Sequence, residues 1–148
     1  RERRLSIRLR LARLLVRRGY ISSRGGDDAT ATEQLTAAMD WYRQAREVAL
    51  PEERGEAAIE AAEITRAMVG PGPAYDLLAG EYDLGVREPR LLGMLGAFAE
   101  MAERPADAIR WYRAVLADEG TTDVGRANAR SGLQRLGVNG TSEDPEER

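Results

Sequence analysis

The sequence predicts an all-α fold, and three observations carry the prediction. Apolar residues recur at the three- and four-residue intervals of helices, while no segment shows a convincing alternation of period two. Glycine, proline and capping residues punctuate the chain at the intervals expected of short helices. The segments so delimited also resemble one another at a spacing of roughly 34 residues, the mark of stacked helix pairs.

Residues 2–18, ERRLSIRLRLARLLVRR, carry Ile7, Leu11, Leu14 and Leu15 on one helical stripe and Leu5, Leu9, Ala12 and Val16 on a second. A helix with one buried face needs one stripe, so two stripes predict a helix sandwiched between neighbours or cut away from one. Gly19 is expected to end it. Residues 20–32, rich in Gly, Ser, Asp and Thr, read as a loop. Thr30 and Glu33 have the spacing of a capping box that opens a helix over residues 33–49. Leu35, Ala38, Met39, Tyr42 and Ala45 share one face of that helix, and Pro51 breaks it. Further helices are predicted over residues 52–69, stopped by GPGP, over 74–84, and over 89–102. Pro105 then stands at the first turn of a helix over 105–117, and Thr122 caps the last, over 123–136, before Gly137. The polar, acidic remainder from residue 138 has no apolar face to bury and reads as a disordered tail.

At 148 residues, 43% hydrophobic and 32% charged, the chain has the balance of a single soluble domain. It has no run of roughly 20 apolar residues that could span a bilayer. Its first residue is Arg1 rather than methionine, as expected of a piece of a longer protein. Cysteine and histidine are both absent. Together these absences remove the disulfide framework, the thiolate or imidazole metal site and the commonest nucleophile and general base, so neither an enzyme nor a cofactor is expected. The GGDD run at 25–28 lacks the ligand spacing of a calcium loop and reads as a plain loop.

All 22 basic residues are arginines, a bias expected of a high-GC bacterial genome. Nine of them and one glutamate fall within residues 1–24, whereas the remainder holds thirteen arginines and twenty-four acids. A basic end on an acidic body marks an interaction end. Nucleic acid is not the expected partner, because the arginines interleave with apolar stripes and Tyr20 alone could stack on a base.

Both tryptophans sit in Trp-Tyr-Arg triplets, at 41–43 and 111–113. The best repeat unit is Leu92, Leu95, Gly96 and Ala99 followed by Ala108 and Tyr112. Ala58, Ala61, Ala62 and Thr65, then Ala74 and Leu78, hold the same slots one repeat earlier, and Arg126, Ala129, Arg130 and Leu133 one repeat later. The first unit, with Arg8, Leu11, Ala12 and Leu15 and then Ala38 and Tyr42, fits once an insertion is allowed at residues 20–32. At these residues the chain resembles the tetratricopeptide repeat family. The resemblance implies a right-handed solenoid of about seven antiparallel helices over residues 1–137. Its units would be 5–51, 55–88 and 89–122, with a closing helix at 123–137. It predicts Tyr42 and Tyr112 facing the core, with small residues at Ala12, Ala62 and Gly96 where helices approach.

The resemblance also implies a concave groove lined by the first helix of each pair, where a protein or peptide docks. The groove slots fall on Arg13 and Arg17, on Ile59, Glu63 and Arg66, on Arg90, Glu100 and Met101, and on Gln134. The chaperone-binding carboxylate clamp of the family is not expected, since there is no lysine and Gly93 and Met94 occupy its place. The expected function is therefore a non-catalytic scaffold that binds a partner through the groove or the apolar N-terminal helix. The alternative is an oligomerisation segment of a larger multidomain protein, associating through that same helix. The compartment is left open, with a cytoplasmic setting preferred.

Overall fold

The computed structural model describes residues 2–138, so the expected tail from 139 onward lies outside the described residues. Among the described residues the fold is all-α, with no strand. The helices are α1 Glu2–Arg24, α2 Asp28–Val48, α3 Gly55–Met68, α4 Pro71–Asp83, α5 Leu91–Met101, α6 Pro105–Ala117 and α7 Asp123–Arg135, with a 3-10 turn at Pro51–Glu53. The chain divides into two compact units, residues 1–88 and 89–148.

In the first unit, α1 and α2 form an antiparallel pair, since Gly19 lies under Leu35 and Ser22 Oγ meets Gln34 Oε1 at 3.1 Å. Three expectations are corrected here. Gly19 does not end α1; the helix continues to Arg24, and a Cβ at Gly19 would lie 2.7 Å from Leu35 Cγ. The glycine permits close approach instead of stopping the helix. Nor is 20–32 a loop, because only residues 25–27 interrupt the helices, with Gly26 at φ +82°. The cap of α2 is Asp27, whose carboxylate accepts the Thr30 backbone N–H at 3.1 Å, and not the Thr30–Glu33 box.

α1 and α2 thus run to 23 and 21 residues, against 14 and 13 for α3 and α4. Leu9 and Ala12 of α1, Tyr42 and Ala45 of α2, and Ala57, Ala61 and Ile64 of α3 form one buried cluster. α4 adds Ala74, Tyr75 and Leu78 to the interior, and it begins at Pro71, in the run expected to be a breaker. Proline at a first turn lacks only an N–H that has no helical partner anyway.

In the second unit, α5, α6 and α7 bury Leu91, Leu95 and Phe98, then Trp111 and Val115, then Ala129 and Leu133. The Tyr112 ring lies against two glycines, Gly96 on α5 and Gly132 on α7, and a Cβ at Gly96 would stand 2.6 Å from its Cδ1. The bounds of α6 and the Thr122 cap of α7, accepting from Gly125 N at 3.1 Å, are as predicted. Tyr42 and Tyr112 are buried as predicted; Trp111 is buried beside Arg110 and Trp41 is half-buried.

Candidate functional site

The tyrosine of each Trp-Tyr-Arg triplet reaches across its helix to a carboxylate held by an arginine. Tyr42 on α2 donates to Glu60 Oε2 on α3 at 2.7 Å, while Arg13 on α1 grips the same carboxylate with Nε and Nη2 at 3.0 and 2.6 Å. Tyr112 on α6 donates to Glu100 Oε2 on α5 at 2.6 Å, and Arg135 on α7 holds Glu100 at 2.9 and 3.1 Å. Each unit therefore has a Tyr–Glu–Arg junction joining three helices, with glutamate and arginine exchanged between the helices that flank the tyrosine. Bidentate guanidinium–carboxylate geometry gives such a junction direction as well as attraction.

The electrostatics keep both phenols protonated. Burial, and then the bond to Glu60, raise Tyr42 above the ordinary tyrosine value. The same two causes push Tyr112 up to about 12. The Arg135 hydrogen bonds hold the Glu100 carboxyl below its usual range, with Tyr112 assisting against burial. Phenols this reluctant to ionise serve as donors, not as bases.

Another carboxylate is more deeply enclosed. Glu81 on α4, 3% exposed, accepts from Arg46 Nη1 at 2.8 Å and from Arg54 Nε and Nη2 at 2.9 Å. It binds α4 to α2 and to the residue entering α3. Ala74, Leu78 and Glu81 fall on one helical stripe, so a charge at an apolar slot was the sequence signal for this tie.

The sequence-predicted groove residues separate into several environments. Arg13, Arg17 and Glu63 line a cleft of about 360 Å³ in the first unit, together with Val16, Tyr20, Tyr42, Glu60 and Ile64. Arg13 is already engaged there, by Glu60 and by Glu56 at 2.7 Å. Arg17 has no ion-pair partner among the described residues. Ile59 is corrected from groove to core: at 1% exposure it points inward, about 100° around the helix from Glu60. Arg66 is exposed on α3 but does not line the cleft. Arg90, Met101 and Gln134 are exposed residues of the second unit, and Glu100 belongs to its tyrosine junction. Sequence reasoning missed Tyr20, 46% exposed, which it placed in a loop and which stands on the last turns of α1.

Among the described residues no group of three His, Cys, Asp or Glu side chains is placed to hold a metal ion, and no helix is long and apolar enough to cross a membrane. No family model, curated protein or solved structure matches the chain.

Proposed function

We propose that this chain is a non-catalytic binding module of the tetratricopeptide type, and that it takes a protein or peptide segment in the cleft bounded by α1, α2 and α3. One observation carries the reading: a cleft of about 360 Å³ presents apolar Val16 and Ile64, aromatic Tyr20 and both signs of charge, Arg17 and Glu63, on helices cross-tied beneath it. Its volume lies within the roughly 300–1,000 Å³ common to ligand clefts, and its mixed lining suits a peptide better than a small apolar molecule. The helix pairs, the small residues at close approaches and the buried tyrosines support the repeat reading.

A peptide display library panned against the full chain tests this. The expected result is an enriched sequence motif whose binding falls about tenfold or more in a Tyr20→Ala, Glu63→Arg variant that keeps its helicity. Absence of a motif, or a motif indifferent to both substitutions, refutes the cleft as the binding site.

A further inference from the structure

α1 packs into the first unit by one side only. Leu9, Ala12 and Gly19 are buried, and Leu5 and Val16 are packed against the core. At 100° per residue the opposite direction falls on Ile7, Leu14 and Ile21. These three are 50%, 46% and 63% exposed and repeat every seven residues, so they form one apolar line along the outer face. Arg3, Arg10, Arg17 and Arg24 repeat every seven residues along one flank, and Arg4 and Arg18 stand on the other. The side chains of these arginines have no ion-pair partner among the described residues. Of the other exposed large apolar residues, Tyr20 lines the cleft, and Leu50, Val69, Leu84, Met101 and Val124 belong to five different segments and form no such line.

We propose that this outer face of α1 docks an acidic amphipathic helix of a protein partner, one with its own apolar line at seven-residue spacing and with Asp or Glu on both flanks. An exposed Ile, Leu and Ile line supplies one apolar anchor per heptad for a helix-on-helix contact, and charges flanking it select the sign of the partner. Two rails of unpaired arginine select carboxylates. A second copy of α1 is disfavoured at this face, because it would set arginine against arginine. An anionic bilayer fits less well: even with half-buried Leu11 and Leu15 beside it, the exposed line is only three residues, whereas a helix lying in a membrane interface buries a broad apolar face. A phosphate backbone offers nothing to cover the isoleucines. The proposal shares with the cleft reading the premise of protein binding and Arg17, which stands at the border of the two faces; its apolar line lies on the other side of the helix.

The test uses the full chain and a labelled synthetic three-heptad peptide, with leucine on the heptad line and glutamate on both flanks, followed by fluorescence anisotropy. Saturable binding that weakens with added salt is expected. It should fall about tenfold or more in the Ile7→Ser, Leu14→Ser, Ile21→Ser variant and in an Arg3→Glu, Arg10→Glu, Arg24→Glu variant. It should persist in the Tyr20→Ala, Glu63→Arg cleft variant, so that failure of one site is distinguished from failure of the other. Circular dichroism checks that each variant keeps its helicity, and the single Leu14→Ser change serves if the triple does not. Equal binding of a scrambled peptide of the same composition overturns the proposal. So does tighter binding to phosphatidylserine vesicles or to a DNA duplex, or indifference to the outer-face substitutions.

Discussion

At the scale of single residues, the junctions around Tyr42 and Tyr112 account for the tyrosine of each Trp-Tyr-Arg triplet. The tyrosine ring fills the space between helix backbones, and its hydroxyl needs an acceptor once buried. Glu60 and Glu100 supply it. The pH dependence of Glu100 follows in sign from its depressed folded value. Its contribution to stability is present above the unfolded glutamate value, near about 4.3, and is lost as pH falls through the lower folded value. A Glu100→Gln chain should therefore lose stability less steeply in acid than the native chain, measured by urea melts at a series of pH values. Superimposable profiles would show that the Arg135 pair contributes nothing to folding.

At the scale of elements, the ends of the helices separate what was legible from what was not. The bounds of α6 and the start of α7 were readable because Pro105 and Thr122 each have one dominant use at a helix start. The α1–α2 pair was misread because glycine has two uses. In one dimension Gly19 looks like a stop, and only the position of Leu35 makes it a contact. The cleft was partly legible, since repeat spacing placed Arg13, Arg17 and Glu63 on it, but a one-residue offset put Ile59 inside the core. The junction partners were hidden because pairing across helices depends on three-dimensional register, which repeat spacing fixes only to within a turn. The α5–α6 link carries a strained position, Glu103 at φ 58°, between Glu103 N bonded to Glu100 O and Arg104 N bonded to Ala99 O. Glycine adopts this left-handed conformation without a Cβ clash. Glu103→Gly should raise stability by about 1 kcal/mol, seen as a higher denaturation midpoint with an unchanged denaturant slope.

At the scale of the whole molecule, the missing residue types set the response to pH. With no histidine and no cysteine, no side chain at its ordinary value titrates between roughly pH 6 and 8, and Tyr112 is pushed up to about 12. The formal charge of −3 and the folding free energy should both stay flat across that window, apart from the terminal amine. Thermal melts in matched ionic strength check this, and a midpoint that drifts by several degrees would contradict it. The distribution of charge matters more than its sum, because the arginines of the outer α1 face stand on a chain that is otherwise acidic.

The paired triplets also equip the molecule with built-in reporters. Trp41 lies in the unit of residues 1–88 and Trp111 in that of residues 89–148, and these are the chain's two tryptophans. Replacing either one with phenylalanine leaves a single indole emitter, so the unfolding of each unit can be followed by its own fluorescence without any attached dye. Trp111, 8% exposed under the Arg110 guanidinium, should emit to the blue of the half-buried Trp41.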